Sequence, residues 1–362
     1  METGSRNWNT LLAGIHPAIS GAASRAPDLS VIVVNWNGRH FLDECLGSLQ
    51  KQTFRDFEVI LVDNGSTDGS VEFVRASFPE VKVVGLGENR GFSGGNNEGI
   101  RGASGRWVML LNNDTRVHER CLEAVSRARE RFPAVSMCAP KMLFYDRPAC
   151  IDNCGFMATV AGNAWEIGRQ ETDCEEFNQY LRPFGPSGGA AFYRRDLLEG
   201  VGLLDEDFFM YYEDYDLAFR ARLRGHECIH VPDAIVYHRS RGTSRALPQG
   251  LVYLAQRNIE YVYIKNMPTA LMLRYGLHHL VYDAGGLVYF TRRGHLRSFL
   301  KAKWDALKAF PRLLRKRKEI QKGRALSSNQ VRKLLVTNWF GLGVRKAFAT
   351  DGQKWPVASL GG

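Results

Sequence analysis

Several features that mark other classes of protein are missing from this 362-residue sequence. Its start, Met-Glu-Thr-Gly-Ser, has neither the basic cluster nor the apolar run of a signal peptide, so we expect a cytoplasmic protein. No long apolar run is free of charge, because the strongest candidate, residues 268–290, contains Arg274, His278, His279 and Asp283. We therefore expect a segment that reaches a membrane surface at most, and no spanning helix.

Cysteine is scarce as well. The seven cysteines lie between residues 45 and 228, and an odd number spread over a long chain is typical of a reducing compartment and not of a disulfide framework. The apolar share of 44% and the charged share of 24% exclude a disordered or collagen-like chain. By its length, the chain should form one large domain with an appendage, or two domains of ordinary size.

The net charge of +10 is distributed unevenly along the chain. Residues 1–250 contain 27 Lys and Arg against 33 Asp and Glu, whereas residues 251–362 contain 21 against 5. Such a basic segment favours anionic lipid headgroups or nucleic acid as its partner. Between residues 291 and 350, basic residues alternate with Leu, Trp and Phe at helical spacing. This pattern favours an anionic membrane surface over nucleic acid.

Short β-branched and apolar runs alternate with longer amphipathic segments from residue 28 onward. This alternation predicts an α/β fold in which a mostly parallel sheet is flanked by helices. The runs are almost continuously apolar, as expected for strands that are buried on both faces. The predicted strands cover residues 29–34, 57–62, 81–84, 107–111, 190–193, 228–231 and 235–237, and the predicted helices cover residues 41–50, 70–77, 121–128 and 213–224.

Composition divides the chain into three regions. Residues 1–27 are rich in Ala, Gly and Ser and are expected to form a flexible lead-in. Residues 28–245 contain the predicted sheet, with a polar and irregular excursion at residues 146–182. Residues 246–362 are basic and predicted to be mainly helical.

Polar residues follow three of the predicted strands. Asn35 comes after the first strand, Asp63 and Gly65 after the second, and Asn113 and Asp114 after the fourth. Ligands bind at the carboxyl ends of strands in open parallel sheets, so we expect these residues to line a ligand site. The carboxylate of Asp63 can accept a hydrogen bond from a nucleobase, although the same segment would also form an Asx-turn that caps a helix.

Residues 88–99 form a second candidate, because glycine and asparagine are concentrated around a helix start. At Gly94, Gly95 and Asn96 the backbone can approach a ligand closely, and a helix N-terminus favours a diphosphate. The alternative is a plain flexible loop. The G-x-G-x-x-G fingerprint is missing, which counts against a dinucleotide cofactor.

Asp114 is a candidate ligand for a divalent cation. A carboxylate beside two amides at a strand end could hold Mg²⁺ or Mn²⁺ between the phosphates of a nucleotide. Alternatively, Asp114 caps a helix that starts near Val117. His238 follows another predicted strand and could supply a nitrogen ligand to the same ion, although a lone histidine is more often a packing residue.

The densest acidic cluster contains Glu213, Asp214 and Asp216 at the start of a predicted helix. Acids in the first turn complement the helix dipole, so part of this cluster is explained by structure alone. Three close carboxylates also raise one another's pKa, and one of them could act as a general base.

Residues 185–189 match the pattern G-x-S-x-G, but two prolines precede the serine and a predicted strand follows it, which excludes a nucleophile elbow.

Taken together, these motifs resemble the family 2 glycosyltransferases of the GT-A fold, and in particular bacterial rhamnosyltransferase-type members. The resemblance covers about residues 28–245 and is carried by residues 29–37, Asp63-Asn64-Gly65-Ser66-Thr67-Asp68, Glu88-Asn89-x-Gly91, Asn112-Asn113-Asp114-Thr115 and Tyr212-Glu213-Asp214-x-Asp216-Leu217. The family pattern has two aspartates flanking one residue, whereas this chain has Asn112 in the first position. One carboxylate should bind a cation more weakly than two.

The resemblance implies a role for each candidate residue. Asp63 would hold the base of a nucleotide-sugar, and the Gly94-Gly95-Asn96 segment would contact its ribose or sugar-diphosphate. Asp114 and His238 would bind the divalent cation, and Asp214 would be the catalytic base. Asn35, Gly65 and Asn113 would complete the nucleotide-sugar site at the strand ends.

We therefore predict an inverting glycosyltransferase of cell-envelope polysaccharide synthesis. It would move a sugar, rhamnose by the resemblance alone, from a dTDP- or UDP-linked donor to a hydroxyl group of a lipid-linked glycan. The basic C-terminal region would bind the inner face of the cell membrane peripherally. The alternatives are a nucleotidyltransferase that acts on a sugar phosphate and a nucleic-acid-binding protein that uses the basic tail.

Overall fold

A computed structural model of the protein describes residues 26–240 and 248–340. The predicted flexible lead-in lies outside the described residues except for its last two positions. In these two segments, no helix has both the length and the apolar character that crossing a bilayer requires.

Strands and helices alternate between residues 29 and 112, and strands predominate from there to residue 194. The strands are β1 (Leu29–Asn35), β2 (Phe57–Asp63), β3 (Lys82–Gly85), β4 (Trp107–Asn112), β5 (Thr115–Val117), β6 (Val135–Phe144), β7 (Arg147–Asn153), β8 (Phe156–Thr159), β9 (Ala164–Glu166), β10 (Ala190–Arg194), β11 (Glu227–His238) and β12 (Leu335–Val336). The helices are α1 (Arg39–Gln50), α2 (Ser70–Ser77), α3 (Gly91–Gly102), α4 (Cys121–Arg131), α5 (Arg195–Val201), α6 (Glu213–Leu223), α7 (Pro248–Asn266), α8 (Thr269–Arg292), α9 (Leu296–Lys322) and α10 (Ser328–Lys333).

The large sheet has the strand order β3-β2-β1-β4-β10-β6-β11-β5, with β7 beside β6. Strands β3, β2, β1 and β4 run parallel, and β10 runs antiparallel to both of its neighbours. A small sheet has the order β12-β8-β9. The predicted α/β class is confirmed, with a parallel half that contains the polar strand ends and a mixed half beyond β4.

Each central strand contributes to two apolar cores, because successive side chains of a strand point to opposite faces. On β1, Ile32 packs in one core with Ile100 of α3, whereas Val31 and Val33 pack in the other with Leu46 of α1. Burial on both faces explains why these strands are continuously apolar in sequence.

Register brings the strand ends together. Asn35 lies directly opposite Asp63, and Val34 lies opposite Asn112. The polar residues that follow β1, β2 and β4 therefore lie side by side at one edge of the sheet.

Three sequence predictions differ from the structure. The excursion at residues 146–182 contains β7, β8 and β9, so it is not irregular throughout. The two strands predicted around residues 228–237 form one strand, β11, because a register shift between Val231 and Ile235 lets pairing with β6 continue. The helix expected near Val117 begins at Cys121, since residues 115–117 pair with β11 as β5.

Residues 248–340 of the basic C-terminal region are mainly helical, as predicted, and pack against the sheet-containing part. Residues 246–247 and 341–362 of that region lie outside the described residues. Tyr261 and Val262 of α7 belong to the same apolar core as Tyr215 and Phe219 of α6. Helix α9 packs along α7. This arrangement places α7 directly behind the acidic cluster at the start of α6.

Candidate active site

Hydrogen bonds link the carboxyl ends of three strands. The Asn113 amide donates to Asn35 Oδ1 (2.7 Å), and the Asn35 amide donates to Ser66 Oγ (3.1 Å). The backbone N–H of Ser66 donates to Asp63 Oδ2 (3.1 Å). Asn35, Asn113 and Asp63 are all buried. They form a fixed polar floor at the predicted nucleotide site.

The other carboxylate oxygen of Asp63 is a buried acceptor. Oδ1 receives no hydrogen bond from the residues that the structure describes. An unpaired buried acceptor costs about 1–3 kcal/mol, so this position favours a ligand that brings an N–H group, such as a nucleobase. Gly65 beside it has φ +81°, and a Cβ there would lie 2.9 Å from the backbone of Glu88. The turn therefore requires glycine.

The start of α3 is tied to this turn through Asn64. The Asn64 side chain accepts the N–H of Arg90 (2.9 Å) and donates to the carbonyl of Gly91 (3.0 Å). Ser93 in the first turn of α3 has a buried Oγ with no partner among the described residues. A second unsatisfied polar atom thus lies at a helix N-terminus, where a phosphate or sugar hydroxyl would find both a donor and the positive end of the dipole.

The predicted ligand residues of α3 lie in close packing contacts. A Cβ on Gly95 would lie 2.7 Å from Val34 Cγ1, so the missing side chain lets α3 approach β1. Gly94 is buried beside it. The Asn96 amide donates to the carbonyl of Phe92 one turn earlier (2.9 Å). These residues bring the helix N-terminus to the sheet, and their contact with a sugar or diphosphate stays a prediction.

His238 lies between two carboxylates at the end of β11. Its Nε2 is 3.2 Å from Asp114 Oδ1, and its Nδ1 is 2.6 Å from Asp152 Oδ2. Arg169 holds Asp152 through Nη1 at 2.6 Å. Burial disfavours the charged ring, but the hydrogen bonds to Asp114 and Asp152 raise the pKa of His238 to about 9. The protonated imidazole and the two carboxylates therefore compensate one another at neutral pH.

These residues fit a divalent cation. Asp114 and His238, the two predicted ligands, are in direct contact, and Asp152 fixes the second ring nitrogen as outer-shell carboxylates do for metal-binding histidines. A divalent cation here would meet one carboxylate oxygen and one imidazole nitrogen, and the carboxylate oxygen is a ligand that suits Mg²⁺ and Mn²⁺. Asn112 places its amide 3.3 Å from His238 Nε2 and adds no charge.

Another histidine–carboxylate cluster lies in the C-terminal helices. Glu260, His279 and Asp283 bring possible ligand atoms within 4.8 Å of one another. The ammonium group of Lys303 contacts Glu260 and lies 2.7 Å from Asp283. Because the ammonium group of Lys303 and the imidazole of His279 already pair with these carboxylates, the cluster is a partly buried ion network.

Asp214 lies at the start of α6 and is partly exposed. Its Oδ2 accepts the N–H of Gly188 and its Oδ1 accepts the N–H of Tyr215, both at 2.7 Å. Burial raises the pKa of Asp214, and the two backbone hydrogen bonds oppose that shift. The carboxylate is thus held rigidly and has a raised pKa, which suits a general base.

The two neighbouring acids have other surroundings. Asp216 is fully buried and lies 2.9 Å from Arg220 and 2.8 Å from Lys265. These two cations lower the pKa of Asp216 in spite of its burial, so it is a structural ion-pair partner. Burial raises the pKa of Glu213 well above its usual range, and its Oε2 has no partner in the described chain. Only Asp214 combines an ionisable carboxylate with access.

Two glycines join the base to the predicted cation site. Gly188 donates to Asp214, and the carbonyl of the next residue, Gly189, accepts the N–H of Asn112 (3.0 Å). A Cβ on Gly189 would lie 3.6 Å from His238 Cε1. The structure therefore brings Asp214, His238 and Asp114 to one place, next to the polar floor that contains Asp63.

Sequence analysis missed Asp152 and Gly188. Asp152 lies in the segment predicted to be irregular, and no spacing or neighbouring motif marks it. Gly188 lies in the G-x-S-x-G segment, which is correctly excluded as a nucleophile elbow. The available signal was a glycine pair directly before a buried strand, which indicates a close backbone approach.

Comparison with known proteins identifies the family of this chain. Residues 30–202 match the model of the family described as Glycosyl transferase family 2. An N-acetylglucosaminyl-diphospho-decaprenol L-rhamnosyltransferase of Mycobacterium tuberculosis is 30% identical over 241 residues, which cover 60% of this chain and 78% of that protein.

Solved structures of glycosyltransferases share the fold. S. aureus TarS 1-349 in complex with UDP-GlcNAc has a TM-score of 0.54 at 20% identity, covering 87% of this chain and 92% of that chain. GalNAc-T7 with UDP, GalNAc and Mn²⁺ has a TM-score of 0.55 at 16% identity, covering 70% and 50%. The predicted GT-A fold is confirmed. By its family match and its identity to the mycobacterial relative, the chain belongs to glycosyl transferase family 2.

Proposed function

We propose that the protein transfers a sugar, with inversion at the anomeric carbon, from a nucleoside-diphosphate donor to a hydroxyl group of a lipid-linked glycan in cell-envelope polysaccharide synthesis. The observation that carries the proposal is the convergence of Asp63, Asp114, His238 and Asp214, which are far apart in sequence. One site thereby offers an acceptor for a base, a cation site and a general base.

The donor would bind along the strand ends. Asp63 Oδ1 would accept the N–H of a pyrimidine base, as found in UDP and dTDP, and the N-terminus of α3 would face the diphosphate. Asp114 and His238 would hold the divalent cation. When bound, such a cation would stabilise the negative charge that develops on the departing diphosphate.

Asp214 would act on the acceptor. Its carboxylate would take the proton of the acceptor hydroxyl while the oxygen forms a bond to the anomeric carbon. The bond from that carbon to the diphosphate oxygen would break on the opposite face, which inverts the configuration. Hydrogen bonds from Gly188 and Tyr215 would keep the carboxylate aimed at the acceptor.

The proposal also names a class of donor and a class of acceptor. The similar M. tuberculosis protein is named for transferring L-rhamnose to N-acetylglucosaminyl-diphospho-decaprenol. This likeness supports a dTDP- or UDP-linked hexose, rhamnose first, and a polyprenyl-linked acceptor. We further propose that residues 28–245 contain the catalytic machinery and that residues 246–362 form the membrane-associating region.

The exposed apolar face of α8 supports peripheral binding of the protein to the inner face of the cell membrane. Fifteen large apolar side chains are exposed in the described part of the chain, and thirteen of them lie within residues 273–340. Six occupy one face of α8, here called the apolar stripe: Leu273, Leu277, Leu280, Val281, Leu287 and Val288. The exposed Arg292, Arg293 and Arg297 follow directly. An apolar helix face beside basic residues fits an anionic phospholipid surface.

A screen of nucleotide-sugars tests the chemistry. Purified protein is incubated with UDP-, dTDP- and GDP-sugars, with and without Mn²⁺, in the presence of a polyprenyl-diphosphate-linked GlcNAc acceptor. We expect one pyrimidine donor to yield the nucleoside diphosphate and a glycosylated lipid. Release of pyrophosphate from a nucleoside triphosphate and a sugar phosphate would favour a nucleotidyltransferase instead. A salt-dependent complex with DNA or RNA and no transfer would favour the nucleic-acid-binding alternative.

A further inference from the structure

The segment just before Asp214 has an unusual backbone. Phe209 has φ 65° and ψ −62°, and the N–H of Met210 donates to the carbonyl of Phe208 (2.8 Å), which is a γ-turn of the rare type. Tyr211 and Tyr212 follow with φ 69° each. Such conformations cost about 1–3 kcal/mol per non-glycine residue and persist only where the surroundings enforce them.

This left-handed segment, residues 208–212, connects the two functional helix starts. The carbonyl of Phe209 accepts the N–H of Ser93 in the first turn of α3 (3.1 Å). A Cβ on Gly91 would lie 2.4 Å from the same carbonyl oxygen, so the two backbones are in close contact. At its other end, Tyr212 accepts the N–H of Asp216 in the first turn of α6 (2.9 Å).

A side chain from the C-terminal region holds this segment. Asn258 of α7 is fully buried, and its amide nitrogen lies 3.0 Å from the carbonyl oxygens of Phe208 and Met210 and 2.7 Å from that of Tyr211. Arg257 donates from Nη2 to the carbonyl of Phe208 (3.0 Å) and from Nε to Asn258 Oδ1 (3.0 Å). The turn leaves these carbonyl groups without partners in a helix or a strand, and the side chains of Asn258 and Arg257 supply hydrogen-bond donors to them.

We infer that Asn258 is a positioning residue for glycosyl transfer. It keeps residues 208–212 in this backbone conformation, with positive φ at Phe209, Tyr211 and Tyr212, and through them it sets Asp214 relative to the N-terminus of α3. This inference rests on the proposed function, because it assigns Asn258 to the reaction at that site. The helical region beyond residue 246 would then contribute to catalysis as well as to membrane contact.

The chemistry requires an amide at this position. The NH₂ group of asparagine has two N–H donors, which the three nearby carbonyl oxygens share, whereas a carboxylate would present only acceptors to them. Asn258→Asp therefore changes the hydrogen bonding at constant size, and Asn258→Ala removes it. Gln256→Ala is a matched control, because Gln256 is a buried amide on the same helix that hydrogen bonds to Tyr282 of α8 and not to the left-handed segment.

The experiment measures turnover, UDP and dTDP affinity, melting temperature and hydrogen exchange of residues 205–216 for the four proteins. A displacement of about 1 Å can cost 10²-fold in rate, so we expect kcat of both Asn258 variants to fall about 10²-fold. Affinity for UDP and dTDP should stay within about threefold, because the base site is built on β1 and β2 and Asn64 holds the start of α3 beside it independently of Asn258. Exchange in residues 208–213 should accelerate. Gln256→Ala should lower the melting temperature without lowering kcat.

Two results would overturn the inference. The first is that the Asn258 variants show faster exchange in residues 208–213 but a normal kcat. The second is that Gln256→Ala loses as much kcat as the Asn258 variants at the same melting temperature. Failure of the proposed function has a different signature. In that case the wild-type protein transfers no sugar from any donor, while the exchange data still report whether Asn258 holds the segment.

Discussion

Three acids within four positions on α6 have three different environments. Lys265 and Arg220 pair with Asp216, burial raises the pKa of Glu213 well above its usual range, and Asp214 is partly exposed with two backbone donors. Sequence spacing alone cannot separate them, because all three belong to one helix turn. Their environments differ because α7 and the Gly188–Gly189 segment, which are distant in sequence, contact different members of the cluster.

Asp214→Asn tests the assignment of the base. The amide keeps the size of the side chain but cannot accept a proton, so we expect kcat to fall by about 10²–10⁴-fold. Nucleotide affinity should change little, because Asp63 and α3 are untouched. Steady-state kinetics and a UDP or dTDP titration measure the two effects, and the melting temperature checks the fold. Turnover close to that of the wild-type protein would exclude Asp214 as the base.

Asp152→Asn tests the support of the cation site. Asp152 fixes the His238 ring through Nδ1, and removal of such an outer-shell carboxylate typically weakens metal affinity by 10–100-fold. We expect that loss in a Mn²⁺ titration followed by electron paramagnetic resonance in the presence of UDP. Asp146→Asn, an exposed acid at the nearby β6–β7 turn, is the control. Equal Mn²⁺ affinity in Asp152→Asn and the wild-type protein would contradict the assignment.

At the scale of elements, sequence predicted the parallel half of the sheet well and the mixed half poorly. Strands β1, β2 and β4 are buried on both faces, so their apolar runs are unambiguous, and polar residues mark where they end. In β11 a register shift interrupts the apolar run without ending the strand. Asp152 lies on β7, which is exposed over its first half and has no continuous apolar run to mark it as a strand. Residues that depend on long-range packing, such as Asn258, carry no local signal at all.

The ion network between α7, α8 and α9 makes stability depend on pH. Burial disfavours the Glu260 carboxylate, but His279 and Lys303 lower the pKa of Glu260 to about 2 from the usual 4.5. A depressed pKa stabilises the folded state above pH 4.5, and this contribution disappears as pH falls from 4.5 towards 2. Its size is on the order of 3 kcal/mol.

Glu260→Gln measures that contribution. The variant should be less stable than the wild-type protein at pH 6, and the difference in unfolding free energy should shrink as the pH falls below 4.5. Denaturant titrations at several pH values give both quantities. A difference that stays constant between pH 6 and 3 would show that the ionised form of Glu260 adds no stability.

On the scale of the whole molecule, the basic charge of the C-terminal region has two uses. Some of it is internal, because Lys265 and Lys316 both contact Asp205 and Lys303 contacts Glu260. The exposed remainder adjoins the apolar stripe of α8. Truncation is a poor test of membrane binding, since α9 packs along α7 and its loss would uncover core residues of α7 such as Tyr261 and Val262.

Point substitutions on the exposed surface test membrane binding without removing part of the core. Leu273 and Leu277 are 84% and 72% exposed, so replacing both with serine leaves the core intact. We expect this double variant to bind phosphatidylglycerol vesicles at least about tenfold more weakly in flotation assays. Arg292→Gln with Arg293→Gln should remove about 2 kcal/mol of binding and reduce its salt dependence. Zwitterionic vesicles should bind the wild-type protein poorly.

Arg75→Gln with Arg120→Gln is the matched charge control, because both arginines are exposed on the sheet-containing part, away from α8. This pair should bind anionic vesicles as the wild-type protein does. If it weakened binding as much as the α8 pair, attraction would reflect net charge and not the stripe. If the wild-type protein instead formed a lipid-free dimer that Leu273→Ser with Leu277→Ser dissolved, the stripe would be a contact between two copies of the chain, and the membrane would need another docking surface.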